Sequence, residues 1–217
     1  VKDLEAGKAA FMGKITAGVT HELKNVLAII KESAGLMEDL IALHKGPPMP
    51  NQEKFSRGCD RIRQQVERGV DLATKLSAFA HSPDDLVGEV DLNAVVEQAA
   101  FLTARFARLK GIGLAFKPYA GSLKMITDPL KIQMLLFNGL DLLLGAVQSG
   151  SEIALIPAQD SDGDVSVIFS VGGPTGPTGL TAAPQWSDLQ SQAAELSATL
   201  VLKQAPECFA IQFTSRR

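Results

Sequence analysis

The chain has 217 residues, of which 46% are hydrophobic and 21% charged, with a formal net charge of −3. That is the composition of a soluble globular protein of one or two domains. The charge excludes a broad basic surface for nucleic acid, and no apolar run approaches the ~18 residues of a membrane span. Cys59 and Cys208 are the only cysteines and neither belongs to a CxxC pair. They imply a reduced, cytoplasmic protein without a Cys/His metal site. VKDLEAGKAAF at the N-terminus lacks a signal-peptide core.

Residues 3–44 read as one long helix. Ile15, Val19, Leu23, Val26, Leu27, Ile30, Met37 and Ile41 recur at helical spacing and fall within an arc of roughly 120°. Leu4 and Phe11 extend this stripe, while Gly13, Gly18 and Gly35 weaken the helix by about 1 kcal/mol each. His21 lies opposite the stripe, with Lys14 two turns back and Asn25 one turn on. Glu22 falls at the border of the two faces. KGPPMPNQ, residues 45–52, breaks the pattern. A second helix follows over 53–80, with Phe55, Cys59, Ile62, Val66, Val70, Ala73, Leu76 and Phe79 or Ala80 stepping by three or four. Two long helices with a short connection make an antiparallel hairpin. One hairpin leaves its stripe half covered, so two copies are expected to pair as a four-helix bundle.

HSPDDLVGEV, residues 81–90, reads as a linker. Asp91 can cap a helix over 92–110. A strand is expected at 112–116 and a hairpin or second strand at 121–126. Asp128-Pro129 opens a helix to Gln148. Strands follow at 153–157 and 165–171, a Gly/Pro loop at 171–180, a helix at 187–197, and closing strands at 199–203 and 209–213 around a turn at Pro206. The fold class is therefore α+β: a helical hairpin over 1–82 and a small α/β sandwich over 83–217, with helices on one face of a mixed sheet. The Gly/Pro loop lacks Lys-Ser/Thr and is not a P-loop. Arg105, Arg108 and Lys110 suit a solvated helix face. His44 sits at a helix end, where a cation is favoured. His81 begins the linker, and Trp186 suits packing.

His21-Glu22-Leu23-Lys24-Asn25 resembles the H-box of two-component sensor histidine kinases, in their dimerisation and histidine-phosphotransfer region. Val26 stands where that pattern usually has proline, which removes a kink and leaves the chemistry. EVDLNAVVEQAAFLTARFARLKGIGLAF resembles the start of the same kinases' ATP-binding domain, and DPLKIQMLLFNGLDLLLGAV resembles its N-box helix. The resemblance extends over nearly the whole chain, but the nucleotide-binding residues are mostly missing. Asn138 matches the first N-box asparagine, while Leu142 replaces the second, which would hold Mg²⁺. Where the adenine-binding aspartate belongs, the chain has Val171 or Ser170. The second glycine box is replaced by AAPQWSDLQSQAAEL and the ATP lid is nearly gone.

The resemblance implies a histidine phosphotransferase, similar to the dimeric ChpT-type proteins. In that reading His21 is the phosphoacceptor, Glu22 orients its imidazole, and Asn25 positions water for phosphatase action. Lys14 and Lys24 would help dock response-regulator receiver domains. Phosphoryl groups would pass between His21 and receiver aspartates without ATP. The chain would bind no cofactor, and Mg²⁺ would come with the receiver. Three alternatives stand beside this reading: an atypical active histidine kinase, a receiver phosphatase using Asn25, and a non-catalytic pseudokinase scaffold. A filled region around Asn138 and Val171 would argue against nucleotide, and an open one would readmit it.

Overall fold

The structure is a computed structural model that describes residues 2–44, 46, 52–80, 87–161, 163–173, 179–203 and 207–214. The expectations for the 45–52 break, apart from Gly46 and the start of the second helix, lie outside these residues. So do His81, the first part of the linker, most of the Gly/Pro loop and the turn at Pro206, together with the Leu4 side chain. The chain divides into two compact units, Met12–Phe79 and a second formed by Val1–Phe11 with Ala80–Arg217.

In the first unit two helices, α1 (Lys2–Leu43) and α2 (Gln52–Ala80), run antiparallel. Two glycines of α2 make room for side chains of α1. A Cβ on Gly58 would sit 2.9 Å from Met37 Cε, and one on Gly69 would sit 3.3 Å from Val26 Cγ1. Hydrogen-only side chains leave space for Met37 and Val26 at these points, which offsets the glycines' low helix propensity.

The apolar stripes are only partly covered within the hairpin. On α1, Ile15, Val19 and Val26 are buried, while Leu27 and Ile41 at the far edge of the same arc are 63% and 58% exposed. On α2 the buried positions are Gly58, Leu72 and Phe79, and Cys59, Val66 and Val70 face outward. The stripe of α2 is therefore rotated from the one its sequence spacing suggests. Its packing face centres on the glycine and Leu72 side, because that side admits the other helix.

The second unit is built around α4 (Pro129–Ala146), an almost wholly apolar helix. Leu130, Ile132, Leu135, Leu136, Leu140 and Leu143 are all 5% exposed or less. Asp128 caps it, its carboxylate accepting from the N–H groups of Leu130 and Lys131 at 3.0 and 2.9 Å, with Pro129 in the first turn where its missing N–H costs nothing. Asp91 caps α3 (Leu92–Leu109) in the same way through Asn93 N–H. A five-stranded sheet has the order β2 (Gly113–Phe116), β4 (Glu152–Gln159), β5 (Val165–Gly172), β7 (Glu207–Phe213), β6 (Ala198–Leu202). Its β2–β4 pair is parallel and the rest antiparallel, so the mixed sheet expected from the sequence is present. Val167, Phe169 and Val171 alternate inward along β5. Phe169 stacks on Phe209 at 4.5 Å and Trp186 meets Phe209 edge-on at 5.4 Å, so Trp186 packs as expected at the start of α5 (Pro184–Glu195).

One segment departs from the sequence reading. The end of the supposed linker forms β1 (Gly88–Asp91), which pairs antiparallel with β3 (Lys124–Thr127) as a separate two-stranded ribbon. Four residues of GEVD carry too little periodicity to announce a strand, and their partners lie 33 to 39 positions along the chain (Asp91 opposite Lys124, Gly88 opposite Thr127). Lys124 bonds Glu89 across the ribbon at 2.7 Å, and this hydrogen bond holds the ammonium pKa above its ordinary value.

Candidate functional site

The face of α1 opposite the buried stripe carries His21, Lys14, Lys24 and Asn25, and all four are exposed. The helical repeat explains this directly. Ile15, Val19 and Val26 turn inward, so positions about half a turn away must turn out. His21 and Asn25 are four residues apart and therefore neighbours on the surface. The His21 imidazole is therefore exposed on the surface of α1.

Glu22 behaves differently. It is buried at the edge of the stripe, with its side chain 8% exposed, and its Oε2 accepts from Arg68 Nη2 of α2 at 2.7 Å. Arg68 keeps 45% of its side chain exposed. A buried carboxylate needs a charged partner, and α2 supplies one. The sequence reading did not single out Arg68. Its signal was indirect: an acidic residue at the rim of a stripe requires a cation on the facing helix.

The second candidate site lies in the other unit. A hollow of about 420 Å³ opens between α4, the turn at 179–183 and α5, lined by Asn138, Asp141, Leu142, Asp188 and Gln192 among others. That volume is within the range of small-molecule pockets. The region around Asn138 is therefore open rather than filled. Val171 does not line it. Its side chain is buried in the core of the unit, and its backbone N–H faces the Cys208 thiol.

The groups in the hollow fit a nucleotide triphosphate badly. Its described lining carries two carboxylates and no Lys, Arg or His, so an incoming polyphosphate meets like charge. Leu142 presents hydrocarbon where the resemblance calls for a metal ligand. The Asn138 amide donates to Gln192 Oε1 at 2.7 Å, tying α4 to α5. Among the described residues, no group of three or more His, Cys, Asp or Glu is placed to hold a metal. No described helix is long and apolar enough to cross a membrane.

No family model matches the chain. The class of protein it is similar to in sequence is the bacterial sensor histidine kinases. It is 25% identical over 174 residues to the C4-dicarboxylate transport sensor protein DctB of Rhizobium meliloti, covering 79% of this chain and 27% of that protein. It is 27% identical over 165 residues to the sensor histidine kinase ZraS of Klebsiella oxytoca, covering 76% of this chain and 33% of that one. The sensor protein FixL of Bradyrhizobium diazoefficiens matches at 25% over 135 residues, 62% of this chain and 26% of its own length. The chain thus spans between about a quarter and a third of the curated relatives it matches. Among solved structures, the histidine kinase AdeS of Acinetobacter baumannii shares 15% identity over 91% of this chain and 98% of that chain, with a TM-score of 0.49. The histidine kinase ThkA in complex with response regulator protein TrrA shares 17% over 94% of this chain and 62% of that chain, also at 0.49.

Proposed function

We propose that this chain is a histidine-kinase-like phosphotransferase, in which His21 exchanges a phosphoryl group with the aspartate of response-regulator receiver domains. The observation that carries the proposal is an outward His21 at the head of His-Glu-Leu-Lys-Asn on a helical hairpin. The sequence similarity to sensor histidine kinases supports it. Phosphoryl transfer requires mainly positioning and neutralisation of charge. The helix gives the imidazole a fixed place, and Lys14 and Lys24 give the same face a positive border for an acidic receiver rim. Asn25, one turn from His21, is the group we assign to water positioning when the receiver is dephosphorylated. Glu22, which the resemblance makes the orienter of the imidazole, is paired with Arg68 of α2. The metal needed at the receiver comes with the receiver.

Two copies of the hairpin pair through the uncovered flank of Leu27, Ile41, Val66 and Val70. ATP is not the phosphoryl donor in this reading, because the hollow beside Asn138 offers carboxylates and hydrocarbon where a nucleotide needs cations and a metal ligand. One observation favours a second reading, an atypical ATP-dependent kinase: the hollow is open and large enough for a small molecule. The two separate cleanly. Receiver domains phosphorylated with acetyl phosphate are expected to label the wild type and leave His21→Ala unlabelled, while calorimetry with Mg-ATP gives no binding heat. Equal labelling of both proteins ends the phosphotransfer reading, and saturable Mg-ATP heat with autophosphorylation establishes the kinase.

A further inference from the structure

The Glu22–Arg68 pair has a geometry that an ordinary structural ion pair does not need. Glu22 is almost wholly buried, yet the Arg68 side chain it holds is nearly half exposed. A guanidinium has five N–H donors in a rigid planar fork. Arg68 donates to Glu22 through one Nη atom, and 45% of the Arg68 side chain stays exposed. The carboxylate thus fixes the cation at one corner and leaves its other edge available to an anion.

The helix repeat places that edge. Around α1 the uncovered apolar flank of Leu27 and Ile41 lies on one side of the buried stripe, and Glu22 lies on the other, the side that leads to Asn25 and His21. Glu22 and Asn25 are three residues apart and are neighbours on the helix surface. Side chains on a helix lean toward its N-terminus, so the Glu22 carboxylate sits alongside the turn that carries His21. Arg68 therefore reaches α1 on the border of the face that bears the phosphoacceptor. Lys14 and Lys24 also border that face, but as point charges on flexible stems. Arg68 is held by a buried carboxylate, that of Glu22.

We propose that Arg68 is a phosphoryl-binding residue, held by Glu22 so that its free N–H edge takes the phosphoryl oxygens at His21. The inference rests on the phosphotransfer reading and assigns that site a residue from the second helix. In the step itself, a P–N bond forms at the neutral imidazole nitrogen as the donor's bond to phosphorus breaks. The electron pair of the broken bond leaves with the donor, as the aspartyl carboxylate or as the amine of a small P–N donor. The imidazole keeps its proton on the other nitrogen. Charge spreads over the three peripheral phosphoryl oxygens in the transition state, and a fork of N–H donors matches that plane better than an ammonium does. Glu22 is then a positioning residue for Arg68 as well as a support for its own turn.

The test uses the intact chain and phosphoramidate, a small phosphoryl donor, with loading of His21 followed by ³¹P NMR and phosphate-affinity gels. Wild type is expected to load, and Arg68→Gln and Arg68→Lys to load about ten- to a hundredfold more slowly at saturating donor. Millimolar guanidinium is expected to restore loading of Arg68→Ala, which a purely structural role would not allow. Arg68→Lys keeps a charge for Glu22 and so guards against loss of the fold, which the melting temperature checks directly. Loading of folded Arg68→Lys and Arg68→Gln at the wild-type rate overturns the assignment and leaves the phosphotransfer reading intact. Failure of the wild type itself to load removes the phosphotransfer reading, and the role of Arg68 with it.

Discussion

The uncovered flank of the hairpin makes the proposed pairing of two copies open to a direct test. Leu27, Ile41, Val66 and Val70 are 63%, 58%, 48% and 61% exposed. Full burial of such a side chain contributes about 1.5–3 kcal/mol, so covering the exposed half of each is worth roughly 1 kcal/mol. A two-fold pair covers each of the four twice, giving on the order of 8 kcal/mol of gross stabilisation before the cost of association. Val70→Glu removes about 2 kcal/mol of that from the pair and places two carboxylates against hydrocarbon. Each carboxylate costs at least about 1 kcal/mol more. The combined loss of about 4 kcal/mol corresponds to roughly a thousandfold weaker association. Sedimentation equilibrium at micromolar concentration is expected to give a dimer mass for the wild type and a monomer mass for Val70→Glu, with helical circular dichroism unchanged. Leu202→Glu, at a 57% exposed position on β6, serves as the control and should remain dimeric. A wild-type monomer, or a Val70→Glu dimer as tight as the wild type, refutes the argument.

Two glycines of α4 should respond in opposite directions to the same change. A Cβ on Gly139 would lie 3.0 Å from Phe169 Cζ, within the stacked Phe169–Phe209 pair, whereas one on Gly145 meets nothing within 4 Å. Gly145→Ala is expected to stabilise by up to about 1 kcal/mol, and Gly139→Ala to destabilise by about 1–2 kcal/mol as rings at 0% exposure are forced apart; chemical denaturation measures both. The two thiols should differ as well. Cys59 is exposed and Cys208 half-buried, and burial pushes the Cys208 thiol above its ordinary pKa against a smaller opposing hydrogen bond from the Val171 N–H. An aromatic disulfide reagent at pH 8 should therefore label Cys59 first. Because the folded thiol holds its proton longer than the unfolded one, its contribution to stability is full at neutral pH and falls as pH climbs through the thiol range. Cys208→Ala should flatten that alkaline decline, and a decline of unchanged steepness would discount this thiol.

Much of the architecture was readable because its causes are local. The caps at Asp91 and Asp128, the proline after Asp128, and the alternation of β5 are short-range patterns with short-range consequences. The outward placement of His21 follows from periodicity alone. The features that sequence did not disclose are those in which a distant partner decides. β1 is a strand because β3 pairs with it. The buried face of α2 is set by where α1 can come close, at Gly58 and Gly69, and apolar spacing cannot register a glycine as a packing surface. Arg68 was invisible for the same reason. Its meaning comes from Glu22, 46 residues earlier.

The two units differ in how their polar groups are committed, and that difference bears on which of them carries chemistry. Beside Asn138 the resemblance calls for ligands that face a solute, yet Asn138 is spent on Gln192 and Leu142 offers nothing to a metal. The Asn138–Gln192 bond ties α4 to α5. On the hairpin His21, Asn25, Lys14 and Lys24 are exposed, and the buried Glu22 carboxylate is paired with an exposed Arg68. In the proposed phosphotransfer reading this is the face that meets the receiver domain. The place where the chain acts on a partner is therefore sought on α1, and the hollow on α4 is judged first by whether any ligand can displace the bond between Asn138 and Gln192.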